Sequence, residues 1–303
     1  MTISARTEKF FGKTIKDFEP GTTPTAASDV VYRLALEYDA ETSMEALLSD
    51  FLESSDKSAL EALVIGSWGD PASGGPDEIL ALLAGQAAQL PNFKALFVGD
   101  MTYEECEISW INQGDYGPFL SAFPRLQALR IRGSTQLTLP SIDHAGLREL
   151  TIECGGLPAT VLNALGRCGF PALATLELWI GVDDYGFDGD VQLIARVVNH
   201  LRTPVLHSLG LRDAEIADQI AQWVAGEAWI AQLGTLDLSL GTLGDVGAAA
   251  LLASAHARGL PRLDLTHHYI SKPLQAQLQA AIPGVVLADE QDDDEDRYVA
   301  VGE

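Results

Sequence analysis

Charged and aromatic side chains recur at matched offsets along this chain. One series reads Arg130, Thr151, Glu177, Gly210, Asp237, Asp264, and a second, two residues later, reads Arg132, Glu153, Trp179, Arg212, Ser239, Thr266. A third, two residues earlier, reads Ala128, Glu149, Thr175, Ser208, Thr235, Arg262. Guanidinium groups among carboxylates and one indole do not form a proton-transfer centre. They are the groups with which one protein grips another, so Arg130, Arg132, Glu153, Glu177, Trp179, Arg212, Asp237 and Asp264 are the candidate partner-binding residues. If the series sit on parallel strands ~4.8 Å apart, Arg132 reaches Glu153 and Arg212 lies over the Trp179 ring. Trp179 then has two readings: an exposed anchor, or a core side chain folded under the following loop.

Three further constellations invite chemistry. Asp183-Asp-Tyr-Gly-Phe-Asp-Gly-Asp190 is rich in carboxylates, but it lacks the alternating spacing and distal glutamate of a calcium loop. A turn ending in an Asp190 helix cap is the simpler expectation. His267-His268 lies near Asp264, yet alternation along a strand sends His267 to the face opposite Asp264 and Thr266. Glu104-Glu-Cys-Glu107, followed by Trp110, sits in an insertion that reads as a solvated acidic helix start with Ile108, Trp110 and Ile111 packing inward. No nucleophile elbow, phosphate-binding glycine loop or zinc-protease pair occurs. The sequence thus nominates no catalytic residue, metal ligand or cofactor. The alternative, a metal-dependent enzyme or enzyme accessory, would use the carboxylates of the first series.

The elements that position these residues follow from a repeated phrase of apolar, two spacers, apolar, one spacer, apolar. It starts at Leu60, Phe93, Leu126, Leu147, Leu173, Leu206, Leu233, Leu260 and Ile282, at steps of 33, 33, 21, 26, 33, 27, 27 and 22 residues. That period belongs to leucine-rich repeats. Pro91, Pro124, Pro171 and Pro204 each stand two residues before a copy, where proline ends a helix and turns the chain into a strand. Helical stretches are expected over 76–90, 190–200, 214–225 and 245–257. Ahead of the repeats, residues 10–15 suggest a short strand pair. Residues 30–38 suggest a strand with Tyr32, Leu34, Leu36 and Tyr38 on one face. Thr42 and Glu45 have capping-box spacing before the apolar face Met44, Leu47, Leu48, Phe51, Leu52. Residues 1–58 therefore read as a capping segment, 59–288 as about nine repeats, and 289–303 as an acidic tail.

The formal net charge is −24, from 19 basic and 43 acidic side chains. Residues 289–303 hold eight acids and one base, so −17 of the surplus belongs to the chain ahead of the tail. Phosphate and anionic lipid surfaces need cationic contacts, so nucleic acid and membrane are disfavoured and a basic protein suits the field. Within the tail, Tyr298-Val-Ala-Val301 is apolar enough to dock on the final repeat. The amino terminus lacks a basic-then-apolar leader, and Cys106, Cys154 and Cys168 show no paired spacing. Reduced thiols and a cytoplasmic setting are expected.

Leu236-Asp-Leu-Ser-Leu-Gly-Thr-Leu-Gly-Asp-Val-Gly-Ala-Ala-Ala-Leu251 resembles a repeat of the ribonuclease-inhibitor type. Glu104–Ile111, Glu177–Gly181, Leu265–Tyr269 and the ending Arg297–Glu303 resemble a family of bacterial cytoplasmic leucine-rich-repeat proteins with no assigned activity. The resemblance implies an α/β solenoid, a horseshoe with a parallel inner sheet, convex α-helices and an N-terminal cap. It implies no chemistry. One departure stands out: the position that usually carries a ladder-forming Asn reads Ser134, Gly155, Gly181, Ala214, Gly241 and His268. The turns must satisfy their backbone in another way. The function expected is a protein-interaction scaffold binding its partner on the concave face.

Overall fold

The computed structural model describes residues 2–25, 29–292 and 296–302. The chain divides into two compact units, one of residues 2–152 with 167–172, the other of residues 153–166 with 173–303.

The first unit opens with β1 (Lys9–Phe10) and β2 (Lys13–Asp17), antiparallel across a two-residue turn. Phe11 and Gly12 both take left-handed backbone, φ 50° and 71°, as a tight hairpin turn of this length requires. From β2 onward the sheet follows chain order through β3 (Val30–Leu36), β4 (Ala62–Trp68), β5 (Ala95–Val98), β6 (Ala128–Arg132) and β7 (Glu149–Glu153), with parallel pairing from β2 to β6. The helices are α1 (Met44–Ser54), α2 (Asp77–Gly85) and α3 (Gly117–Ala122). The expected apolar face of α1 is buried in full, although the cap is Ser43 rather than Thr42, its oxygen accepting from the Ala46 amide. β3 departs from its expected one-sided pattern: Val31 and Arg33 are buried beside Leu34, and Tyr38 is 83% exposed. Side chains on both faces of this parallel strand are covered, which hides the alternation.

The second unit contains β8 (Thr175–Gly181), β9 (Ser208–Ala214), β10 (Thr235–Asp237), β11 (Arg262–Asp264) and β12 (Val285–Val286), in that order and parallel. Its helices are α4 (Ala159–Leu165), α5 (Val191–Leu201), α6 (Ala217–Gly226), α7 (Asp245–Ala253) and α8 (Lys272–Ala281). Each of the nine repeated phrases contains one strand, β4 to β12. In the seven copies from Phe93 to Leu260 all three apolar positions are buried. Each such side chain contributes roughly 1.5–3 kcal/mol on burial, so this phrase is the main source of cohesion. The helix expected over 76–90 ends at Gly85 and continues as a short 3-10 turn at Ala87–Gln89.

The missing asparagine ladder is replaced in two ways. Asp213, Leu240 and His267 have left-handed backbone, φ 54°, 69° and 62°. Their amides donate to the carbonyls of Ser239, Thr266 and Ala288 in the next repeat, at 2.9, 2.8 and 2.9 Å. Hydroxyls add cross-links, Thr203 donating to the Leu173 carbonyl at 2.7 Å and Ser254 to that of Ala225 at 2.6 Å. Among the described residues no helix is long and apolar enough to cross a membrane.

Candidate interaction surface

In the second unit the pairing register aligns Glu177, Gly210, Asp237 and Asp264 in one row, and Trp179 with Arg212 in the next. Arg212 is the hub. Its guanidinium lies 5.1 Å from the centre of the Trp179 ring. One Nη donates to Glu177 Oε1 at 3.0 Å, Nε donates to Ser239 Oγ at 3.0 Å, and Asp237 Oδ2 is 3.5 Å away. Glu177 Oε1 also accepts from the Trp179 indole N–H at 2.9 Å, and Asp237 accepts from the Ser239 amide at 3.0 Å. Burial opposes the charge on Arg212, but Glu177 and Asp237 outweigh it and its pKa is raised. Gly210 makes room for the group: a side chain there would begin 3.0 Å from Glu177 Cγ and 3.6 Å from Arg212 Cδ. Glu177, Arg212 and Asp237 keep 25%, 23% and 21% of their side chains in solvent, so all three can be touched from outside.

Trp179 is 7% exposed, which decides between its two readings. It forms the floor under Arg212, its N–H already satisfied. Asp264 accepts from the Thr266 hydroxyl and amide at 2.7 and 3.0 Å and from Arg262 at 2.6 Å. Burial pushes its carboxyl up, but these donors more than compensate and hold it below the ordinary range. Glu153 belongs to this unit and is buried, not exposed as its place in the series suggested. The Glu177 and Asp237 carboxylates flank a guanidinium already between them, an arrangement that neutralises them rather than presenting a cation site. Among the described residues no three of His, Cys, Asp or Glu come together as metal ligands.

The two arginines of the series that lie in the first unit have other surroundings. Arg132 is buried, donating to the Met101 carbonyl at 2.7 Å with Asp100 at 3.4 Å. Arg130 is half-buried, its guanidinium 4.5 Å from the centre of the Phe97 ring. It lines a cleft of about 180 Å³ with Lys9, Phe10, Phe11, Glu149 and Thr151. Sequence reading missed Asp100, which is fully buried and paired with both Arg33 and Arg132 at 3.0 and 3.4 Å. It lies two residues past β5, beyond the phrase that defines the repeat, so periodicity gave it no signal.

The other constellations serve structure. Asp190 caps α5 by accepting from the Leu193 amide at 2.7 Å, as expected, and Asp188 accepts from the Ala159 amide at 2.6 Å. His267 Nδ1 meets Asp289 at 3.0 Å, His268 Nδ1 accepts from the Ile270 amide at 3.2 Å, and neither meets Asp264. All three cysteines are free thiols. In the insertion, Ile108 and Ile111 pack inward as expected, whereas Trp110 is 61% exposed. A 3-10 turn at Ile108–Trp110 places only two of the three apolar residues inward.

Strands and helices alternating at the repeat period, with charged side chains held on the strand face, define a leucine-rich-repeat protein. Among solved structures, a Bacteroides fragilis protein determined as a structural-genomics target aligns with 89% of this chain and 77% of its own length, at 30% identity and a TM-score of 0.81. The chain belongs to the family of that protein. An internalin from Listeria monocytogenes aligns over 87% of this chain and 74% of its own, at 14% identity and a TM-score of 0.30, too distant to bear on the argument. No family model and no curated protein matches.

Proposed function

We propose that this chain is a protein-binding scaffold, and that its partner docks on the strand face of the second unit over Glu177, Arg212, Asp237 and Asp264. The observation that carries the reading is the Arg212 network. A guanidinium held by two carboxylates, a hydroxyl and an aromatic floor is already ordered, so a partner loses little freedom in engaging it. Glu177, Arg212 and Asp237 keep solvent-facing edges, and a row of three carboxylates with one guanidinium offers paired recognition to a basic partner surface. Trp179 acts as the rigid support of this contact. Arg130 would extend the contact chemistry on the first unit. The acid surplus of the chain supports a basic protein partner in the cytoplasm.

The test is affinity capture from native cytosol with the wild type and with a Glu177→Gln/Asp237→Asn variant of confirmed folding. Both substitutions keep shape and remove charge. Retention of a protein by the wild type and its loss by the variant supports the reading. Equal retention by both would move the contact off this face.

A further inference from the structure

The carboxyl-terminal segment is bound as a peptide ligand is bound. Residues 297–302 form neither strand nor helix, yet Val299, Ala300 and Val301 are buried. The grip is on their backbone. Tyr269 Oη accepts the Tyr298 N–H at 2.8 Å and donates to the Tyr298 carbonyl at 2.9 Å, clamping both ends of one residue. His267 Nε2 lies 3.1 Å from the same carbonyl. The Ala300 N–H donates to the Leu240 carbonyl at 2.7 Å, and the Val301 N–H to Asp213 Oδ1 at 2.9 Å. Main-chain hydrogen bonds of this kind supply affinity in peptide recognition, while side-chain pockets supply selectivity.

The receiving surface is periodic. Asp213, Leu240 and His267 follow one another at the 27-residue repeat step, and all three have left-handed backbone, Asp213 at the end of β9 and the other two in the turns after β10 and β11. Each holds one backbone group of the segment, which runs back across the repeats from His267 to Leu240 to Asp213. The same backbone that sends their amides to the next repeat also turns one group of each toward the segment. Selectivity is visible as well. Arg297 lies 5.6 Å from the centre of the Tyr269 ring, with Asp218 and the Thr242 carbonyl at 3.5 and 3.4 Å. Tyr298, by contrast, is 66% exposed. The sequence leading into the segment, Asp289–Asp296, carries seven acids in eight residues. Residues 293–295 of that run lie outside the described residues.

We propose that the carboxyl-terminal end of β9 and the turns after β10 and β11 form a peptide-binding channel, occupied in cis by residues 297–302, which admits an extended partner peptide of the same chemistry. That chemistry is a cation, one residue of free choice, then three small or branched apolar residues. The site does not depend on the strand-face reading.

The test uses the full chain with Ala300→Pro, which removes the N–H given to Leu240 while leaving the channel untouched. The probe is a labelled peptide, Asp-Arg-Tyr-Val-Ala-Val-Gly-Glu, followed by fluorescence anisotropy. The proposal expects saturable binding by the variant, weaker by about tenfold or more in the wild type, where the tail competes. It expects the peptide with Tyr changed to Ala to bind alike, and those with Arg→Ala or the first Val→Asp to fail. No binding by the folded variant up to about 1 mM would overturn it. Should Ala300→Pro not fold, hydrogen exchange on the wild type decides. Ala300 and Val301 amides exchanging about 100-fold or more faster than that of Leu209 support a removable occupant, and equal protection overturns it.

Discussion

The Arg212 guanidinium rests 5.1 Å above the ring of Trp179, and the indole N–H turns aside to Glu177. The tryptophan is therefore the platform and the arginine the part that faces outward. Trp179→Ala should cost about 3–5 kcal/mol in stability, as deletion of a buried aromatic does. Trp179→Phe keeps the platform, loses one hydrogen bond, and should cost about 1 kcal/mol. Urea unfolding of both variants checks the order. A near-neutral Trp179→Ala would return the side chain to the surface.

Arg212→Met removes the charge that stands between Glu177 and Asp237 while keeping much of the volume over Trp179. Breaking a fully buried pair costs about 3–5 kcal/mol, and the part-exposed edges here reduce the expectation to about 2 kcal/mol. Adding Glu177→Gln should recover part of that loss, because the carboxylate left behind is then neutral. Equilibrium unfolding of the single and double variants measures the coupling.

In the first unit Asp100 is fully buried and ion-paired with both Arg33 and Arg132. Its Oδ1 also accepts from the Thr7 amide at 3.1 Å. Asp100→Ala takes a carboxylate from two buried guanidinium groups, of which Arg33 keeps Asp17 as a partner, and should lose about 3 kcal/mol. Thermal melts of Asp100→Ala and Asp100→Asn should rank wild type, Asn, Ala in falling order.

Burial pushes the Asp213 carboxyl up to about 8, against the pull of the Val301 N–H and the Arg212 charge. Its Oδ2 has no hydrogen-bond partner among the described residues. In the unfolded chain the group titrates near ~3.9. Between about pH 4 and about pH 8 the folded protein thus holds a proton that the unfolded chain has released. Stability should fall as pH rises through that window, with a slope approaching ~1.4 kcal/mol per pH unit from this one group. Asp213→Asn should flatten the profile. Urea midpoints for both proteins between about pH 5 and about pH 8 test the sign, and parallel profiles would refute a protonated Asp213.

The repeat phrase made the strands legible because three apolar positions per copy are each dictated by burial. Leu173, Leu176 and Leu178 have nowhere else to go. The Arg212–Trp179 stack was legible too, since the register follows from aligning the phrases. Exposure was not: Glu153 and Arg132 share the alternation of Glu177 and Arg212, yet both are buried. Alternation assigns a side chain to a face, and what covers that face is written elsewhere in the chain. Residues 298–301 carried an apolar signal that suggested docking on the final repeat. Their actual course over three repeats depends on the left-handed backbone at Asp213, Leu240 and His267. Glycine and asparagine advertise such backbone most clearly in sequence, Asp213 and His267 only weakly, and Leu240 not at all.

The measurement that bears most directly on the scaffold reading is site-specific photo-crosslinking in native cytosol. A photoreactive side chain at Thr235, on the strand face beside the Arg212 network, is compared with one at Gln222, exposed on α6. The account predicts a single dominant protein adduct from position 235, none from 222, and loss of the adduct in the Glu177→Gln/Asp237→Asn background. An adduct from 222 alone, or none from 235, would contradict it.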